Sequence, residues 1–190
     1  MPTTLFISDL HLDLVRPQLV DAFDALLAGE ARQADALYIL GDLFEAWVGD
    51  DDDSPLAARV ATSVHALTEH GVPVYFIAGN RDFLLGETYA ARCAMHLLDD
   101  GSTVDLYGTP TLLMHGDTLC TDDEDYQRFR AQVHDPAWQH DFLARPLSER
   151  RAFAAQARAA SKAHTGSASE AIMDVNADAV AQAMRDANVH

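Results

Sequence analysis

The sequence predicts a mixed α/β protein in which helices pack against a parallel sheet. Three short apolar runs, TLFIS at 4–8, ALYIL at 36–40 and VPVYFIA at 72–78, are bounded by polar or turn residues, as is typical of strands covered on both faces. Helical patterns separate the runs from one another. This alternation of strand and helix along the chain is the pattern of an α/β sheet.

The first two helices have clear start signals. Pro17 fits the first helical position, ahead of an apolar face formed by Leu19, Phe23 and Leu26. Ser54 fits an N-cap and Pro55 the first residue of the next helix. We therefore predict one helix between each pair of strands.

The pattern changes after residue 95. TVDLY and PTLLMH are two short strands separated by a turn at Gly108, which predicts a hairpin and a second, antiparallel part of the sheet. Residues 122–165, rich in Ala and Arg, predict a helical insertion over one end of the sheet, and Asn176 fits the N-cap of a last helix. We expect one domain, residues 1–190, with a helical cap at about 122–170.

Composition and charge limit the function. A net charge of -17 argues against nucleic acid as the main partner, because that affinity depends on clustered Lys and Arg. Residues 128–162 nevertheless hold seven of the 13 basic residues against three acids, so this stretch is either a solvated helix face or a docking place for an anion.

The sequence also indicates where the protein resides. No stretch approaches the ~20 apolar residues of a membrane span, and the N-terminus lacks a basic signal region, so we expect a cytoplasmic protein. Cys93 and Cys120 are far apart and outside any C-x-x-C pattern. They predict neither a disulfide framework nor a zinc knuckle.

Four short blocks share one arrangement, in which an apolar strand runs into oxygen and imidazole ligands. They are SDLH at 8–11, GD at 41–42, GNRD at 79–82 and HGD at 115–117. Strand ends in an open α/β sheet meet along one edge, where ligands bind. We therefore expect the four blocks to surround one site.

The ligand types in these blocks favour a metal centre. Asp9 and His11 are two residues apart, and extended geometry would point both side chains to the same side. Taken alone, D-x-H also fits a turn-capping Asp beside a surface His, and His115 also fits a core histidine. Carboxylate, amide and imidazole ligands without thiolate suit manganese, iron or zinc, with Asp42 as the candidate bridge between two ions. Such a pair is used for hydrolysis at phosphorus.

The D-x-H, G-D, G-N and His115 blocks, in this order, resemble the calcineurin-like metallophosphoesterases. The resemblance implies a β-sandwich flanked by helices, with a two-metal centre at the strand ends. The positions that match metal ligands are Asp9, His11, Asp42, Asn80 and His115. The resemblance also implies a catalytic centre made of Asp42, Asn80, Arg81 and His115.

Arg81 departs from the family pattern. Most members read G-N-H-D or G-N-H-E, and that histidine helps to protonate an alcohol leaving group. A phosphate monoester, with a second pKa of about 6, leaves readily as an anion. An arginine can instead hold a second phosphate through two parallel hydrogen bonds. We therefore expect a pyrophosphate substrate.

Longer strings narrow the resemblance within the family. LFISDLHLD, LYILGDLFEAWVGDDD, GNRDFLLG, LLMHGDTLCTDDEDYQRFR, SKAH and AIMDVN are similar to the branch that cleaves UDP-2,3-diacylglucosamine in lipid A biosynthesis. This implies attack of water on the α-phosphate promoted by Mn²⁺, with UMP and 2,3-diacylglucosamine 1-phosphate as products. It also implies a peripheral location on the cytoplasmic side of the inner membrane, with the helical insertion covering the acyl chains.

The same resemblance implies substrate contacts. Asn80, Arg81, Asp123 and Ser161 match substrate-contacting positions. Two further positions, usually Asn and Lys, are occupied by Thr165 and Ala168, which leaves the contacts to the head group open.

The family continues beyond the last predicted helix into a strand with the sequence G-H-T-H-R-P, whose two histidines each complete one metal. The sequence stops before that strand, so we expect a fragment, weak metal binding and little turnover by residues 1–190. His134, His140 and His164 fall in the predicted cap and His190 lies short of the motif, which disfavours them as substitutes.

Two alternatives remain open from the sequence. The first is a general metallophosphoesterase acting on nucleotides or phosphodiesters, which Arg81 and the cap disfavour. The second is a non-catalytic scaffold of the same fold that binds a protein partner. The five retained ligands disfavour it, and the missing G-H-T-H block keeps it open.

Overall fold

The computed structural model describes residues 2–165 and 174–189, with side chains described as far as Lys162 in the first range. The chain forms two compact units, Met1–Ser102 and Thr103–His190. The predicted α/β class with a parallel sheet is confirmed. The prediction of one domain with a helical cap stays a prediction.

The first unit is built on a four-stranded sheet in the order β1-β2-β3-β4, and all three strand pairs are parallel. Its strands are β1 Thr4–Ile7, β2 Ala36–Leu40, β3 Val74–Ile77 and β4 His96–Leu98. Its helices are α1 Pro17–Ala28, α2 Pro55–Glu69 and α3 Glu87–Cys93, with a 3₁₀ turn at Glu30–Gln33. The three strands predicted for this sheet are therefore present, whereas β4 and α3 were not predicted because both are very short.

The predicted helix starts are confirmed. Pro17 is the first residue of α1, and the Ser54 hydroxyl caps α2 by accepting a hydrogen bond from the backbone N–H of Ala57 at 3.1 Å. In α1, Phe23 is buried as predicted, but Leu19 and Leu26 are not. The buried residues of α1 are Val20, Phe23 and Leu27, while Leu19 is 37% exposed.

The core of the first unit lies between the sheet and its helices. Leu37, Ile39, Val74 and Phe76 on the two central strands are at most 1% exposed, and so are Val60, Val64 and Leu67 of α2. Burying each such side chain stabilises the fold by about 1.5–3 kcal/mol. The central strands are consequently fixed, and so is the position of the loops at their carboxyl ends.

The second unit contains a hairpin followed by helices. Strands β5 Ser102–Leu106 and β6 Thr109–Leu113 form their own two-stranded sheet. The two residues between them, Tyr107 and Gly108, both have positive φ, 56° and 92°, which is the backbone of a type I′ turn. The predicted hairpin is confirmed, but it forms a separate sheet and not an extension of the first one.

The helices of the second unit are α4 Glu124–Val133, α5 Pro136–Leu143, α6 Leu147–Thr165 and α7 Ala177–Asp186. Asn176 caps α7 as predicted, because its side-chain oxygen accepts hydrogen bonds from the N–H groups of Asp178 and Ala179. Trp138 and Phe142 of α5 stack with ring centroids 4.7 Å apart and contact Phe153 of α6. This aromatic cluster fixes α5 against α6.

Among residues 2–165 and 174–189, no helix has the length and apolar character needed to cross a membrane.

Candidate metal centre

The loops after β1 and β2 have an unusual backbone. Asp9, His11 and Asp42 all have left-handed φ values, 54°, 47° and 54°. Non-glycine residues rarely adopt this conformation, and such strain concentrates at functional sites. Hydrogen bonds between the two loops stabilise it, since the Asp9 N–H donates to the Gly41 carbonyl at 3.1 Å and the His11 N–H to the Asp42 carbonyl at 2.8 Å.

This backbone corrects the reasoning from the D-x-H spacing. β1 ends at Ile7, so Asp9 and His11 are not in an extended segment. They reach the same region because left-handed residues at positions 9 and 11 fold the loop back toward Asp42. A carboxylate oxygen of Asp9 lies within 4.8 Å of one of Asp42, and His11 Nδ1 lies 3.7 Å from Asp42 Oδ2.

Asp42 is held by a second carboxylate that we did not assign to the site. Asp82 is fully buried, and both of its oxygens accept backbone N–H groups. Oδ1 accepts from Gly79 at 2.8 Å and Asp42 at 3.2 Å, and Oδ2 from Leu43 at 2.7 Å and Phe44 at 3.4 Å. Asp82 therefore ties the loop after β3 to the loop after β2.

Burial raises the pKa of Asp82, and the backbone hydrogen bonds offset only part of that effect. The sequence signal for this role was the aspartate at the end of the GNRD block.

Gly79 allows the close approach of the two loops. A Cβ atom at this position would lie 2.3 Å from Asp42 Oδ1 and 2.5 Å from the Asp42 backbone nitrogen. Only a residue without a side chain fits there. Glycine is therefore required at the first position of the G-N block, because Asp42 fills the space that a side chain would need.

Arg81 and Glu45 complete this side of the site. Arg81 Nη1 donates to Glu45 Oε1 at 2.9 Å, and Arg81 Nε lies 3.5 Å from Asp42 Oδ2. Arg16 Nη2 donates to Glu45 Oε2 at 3.2 Å and to the His11 carbonyl at 2.6 Å. We did not single out Glu45 or Arg16 from the sequence, although Glu45 stands only three residues after Asp42.

The first unit has donors that suit a divalent cation. His11 Nδ1 is buried and has no hydrogen-bond partner among the described residues. An imidazole nitrogen in that state, beside the nearly buried carboxylate of Asp42, has the chemistry of a metal ligand. Asn80 follows Gly79 at the end of β3 and is exposed. The residues present therefore fit a cation held by oxygen and imidazole nitrogen.

The second unit holds His115, which follows β6 and is half-buried. The loop after it is fixed by Asp117, which is 9% exposed and accepts hydrogen bonds from the Tyr126 hydroxyl and from Arg130 Nε, the latter at 2.7 Å. Burial acts to raise the pKa of Asp117, but these hydrogen bonds lower it below its ordinary value. The loop that positions His115 is thus anchored to α4.

Three of the four remaining predicted substrate residues lie in or directly before the helices of the second unit. Asp123 is 7% exposed and caps α4, because its carboxylate accepts a hydrogen bond from the Tyr126 N–H at 2.9 Å. Ser161 is exposed on α6. Thr165 is the last residue of α6, but its side chain is outside the described part, and Ala168 lies outside the described residues altogether.

Comparison with known protein families agrees with this fold. The model of the calcineurin-like phosphoesterase family matches residues 2–185, so the chain belongs to that family.

Individual relatives can be named. A protein named UDP-2,3-diacylglucosamine hydrolase from Xanthomonas oryzae pv. oryzae is 62% identical over 161 residues, which cover 85% of this chain and 65% of the relative. Proteins with the same name from Stenotrophomonas maltophilia and Escherichia coli are 62% and 57% identical, over 85% and 95% of this chain and 65% and 75% of those relatives. The chain thus spans about two-thirds to three-quarters of these relatives' length.

Proposed function

We propose that this protein hydrolyses the pyrophosphate bond of UDP-2,3-diacylglucosamine, releasing UMP and 2,3-diacylglucosamine 1-phosphate. The observation that carries the proposal is the placement of Arg81, whose guanidinium lies beside the carboxylate of Asp42 at the candidate metal centre. A guanidinium there suits a substrate with two adjacent phosphates. The names of the relatives support the choice of substrate.

The ligands of two divalent cations, most suitably Mn²⁺, would be Asp9, His11, Asp42, Asn80 and His115, with Asp42 shared between the ions. His11 Nδ1, which has no hydrogen-bond partner among the described residues, supports this assignment in the first unit. The family resemblance supports Asn80 and His115. Bound cations of this kind supply an activated water and neutralise charge on the phosphoryl oxygens.

The chain's own side chains would bind and orient the substrate. Arg81 would hold the phosphate that leaves, and Asn80 would contact the phosphate that is attacked. No proton donor to the leaving group is needed, because a phosphate monoester leaves as an anion. We extend the proposal to Asp123 and Ser161 as substrate contacts, and to Thr165 and Ala168 at the positions where the family usually has Asn and Lys.

We also propose that the protein works at the cytoplasmic face of the inner membrane, where a diacylated substrate would reside. The support is the basic composition of residues 128–162, which include exposed Arg151 and Lys162 on α6. Gentle fractionation of cells should place the protein with the inner membrane and release it in high salt. Recovery only in the soluble fraction at low salt would contradict this location.

The reaction is tested with the protein expressed from its complete reading frame, supplied with UDP-2,3-diacylglucosamine and Mn²⁺ in oxygen-18 water. We expect one label atom in UMP. Label only in the lipid phosphate would overturn attack at the α-phosphate, and no cleavage would overturn the proposed substrate. Faster cleavage of bis(p-nitrophenyl) phosphate would favour the general phosphoesterase.

A substitution tests the role of Arg81. Arg81→Lys keeps the charge but loses the forked geometry, so we expect kcat/KM to fall at least about tenfold. The matched control is Arg59→Lys, since Arg59 pairs with Asp21 and Asp24 on the surface of α1 and α2. Equal activities of the two variants would contradict the assignment of Arg81.

A further inference from the structure

We infer that Glu45 is a positioning residue, which aims the guanidinium of Arg81 and keeps it from closing onto Asp42. This inference rests on the proposed function, because it assigns Arg81 to a substrate phosphate and Asp42 to the cations. It concerns contacts within the first unit only.

The backbone fixes Glu45 beside the site. Its N–H donates to the Leu12 carbonyl at 3.1 Å, and Leu12 and Phe44 form a parallel bridge. Leu12 is 1% exposed and Phe44 2%, so this bridge is part of the core. The Glu45 side chain therefore starts from a rigid point, three residues after Asp42.

The carboxylate of Glu45 is clamped between two arginines. Oε1 accepts a hydrogen bond from Arg81 Nη1 at 2.9 Å and Oε2 one from Arg16 Nη2 at 3.2 Å. Arg16 is itself fixed, since Nη2 also donates to the His11 carbonyl at 2.6 Å. Each oxygen thus has its own cationic partner, which defines the orientation of the carboxylate and, through it, of Arg81.

Arg81 stands close to a competing carboxylate. Its Nε lies 3.5 Å from Asp42 Oδ2, is buried and has no hydrogen-bond partner among the described residues. A small movement would turn this approach into a charge-assisted pair with Asp42. Such a pair would occupy a carboxylate oxygen that the cations need and a guanidinium edge that the phosphate needs. The bond to Glu45 opposes that movement.

A neutral isostere shows what the charge of Glu45 contributes. Glu45→Gln keeps the shape, but its one acceptor oxygen replaces only one of the two carboxylate oxygens, so its NH2 group faces either Arg81 or Arg16 with a donor. With Arg81 released toward Asp42, we expect the dissociation constant of Mn²⁺ to rise about fivefold and KM to rise about tenfold, equivalent to about 1.4 kcal/mol. We expect kcat to change less than about threefold, because Glu45 does not touch the reacting atoms.

The decisive experiment is a double-mutant cycle on Mn²⁺ binding, measured by electron paramagnetic resonance with the complete reading frame. If Glu45 acts through Arg81, Glu45→Gln weakens Mn²⁺ binding in the wild type but not in Arg81→Ala. Equal weakening in both backgrounds, or none in the wild type, overturns the inference. The matched control is Glu69→Gln, because the Glu69 side chain is 72% exposed and pairs with His65 on α2. This variant should bind Mn²⁺ as the wild type does.

The activity arm separates this inference from the proposed function. If the wild type does not cleave UDP-2,3-diacylglucosamine, the proposed function fails, while the Mn²⁺ cycle still decides whether Glu45 controls Arg81. If the wild type cleaves the substrate and Glu45→Gln lowers kcat with KM unchanged, the positioning role is wrong and the proposed function stands. Restoration of KM by Glu45→Asp toward the wild-type value would add support for a carboxylate requirement.

Discussion

Replacing Gly79 with alanine should displace Asp42 and weaken divalent-cation binding. The new Cβ would lie 2.3 Å from Asp42 Oδ1 and 2.5 Å from the Asp42 backbone nitrogen, whereas real Cβ contacts are essentially never shorter than 3.0 Å. One of the two loops must therefore shift by roughly 0.5 Å, because the contact with the Asp42 backbone nitrogen cannot be relieved by a rotamer change. The tolerance of metal-ligand distances is only about 0.2 Å.

The loops have little freedom to shift. The Gly79 N–H donates to Asp82 Oδ1 at 2.8 Å, and the Asp42 N–H donates to the same oxygen at 3.2 Å. Overpacking of this kind destabilises a protein by about 1–3 kcal/mol. We expect Gly79→Ala to lower the free energy of unfolding by that amount and to raise the Mn²⁺ dissociation constant at least about tenfold.

Urea unfolding and paramagnetic resonance titration with Mn²⁺ measure the two effects separately. The control is Gly101→Ala, because Gly101 has φ of 87° and no neighbour within 4 Å of a Cβ atom. In that variant, backbone strain should lower the free energy of unfolding by about 1 kcal/mol, and Mn²⁺ should bind with wild-type affinity. A folded Gly79→Ala variant with wild-type affinity for Mn²⁺ would refute the steric argument and the role given to Asp42.

Three further predictions concern stability and reactivity. In the wild type, backbone N–H groups bind both oxygens of Asp82, and Asp82→Asn leaves them one acceptor oxygen. Urea unfolding should therefore show that the free energy of unfolding falls by about 2 kcal/mol or more. Asn176→Ala removes the cap of α7 and should lower its protection from hydrogen exchange by about 1 kcal/mol; unchanged protection would contradict the cap. Burial raises the pKa of Cys93 from 9.0 to about 12, so the thiol of the folded protein should resist alkylation at pH 8. The stability that the neutral thiol contributes should be fully present below pH 9 and should decline as the pH rises from 9 toward 12. Rapid alkylation of Cys93 in the folded protein would show that the thiol is accessible.

Hydrophobic patterning located much of the first sheet. The apolar run at 36–40 coincides with β2, and the runs at 4–8 and 72–78 contain β1 and β3. β2 is buried on both faces, and such strands need unbroken apolar sequence, which makes them easy to recognise. In β1 no residue is buried and Phe6 is 40% exposed, so the prediction that both faces of this strand are covered was wrong. The four residues of β1 and the three of β4 show how little sequence a parallel strand needs once its neighbours are in place.

The inner face of α1 shows a limit of the same method. Leu19 and Val20 are both apolar, and the pattern alone fits either as the start of the buried stripe. Packing against the sheet selected Val20, at 1% exposure, and left Leu19 at 37%. The choice depends on the angle at which the helix meets the sheet, which local sequence does not specify.

The sequence by itself determined which donor atoms stand at the strand ends and in what order, because strand, turn and polar block follow one another locally in each case. Only the tertiary structure decided what each carboxylate does. Asp82 accepts hydrogen bonds from backbone N–H groups up to 40 residues away, while Asp42 accepts one from the Arg81 N–H and has an oxygen 3.7 Å from His11 Nδ1 and 3.5 Å from Arg81 Nε. The physical reason is that a buried carboxylate binds whichever donors surround it, and those donors come from distant parts of the chain.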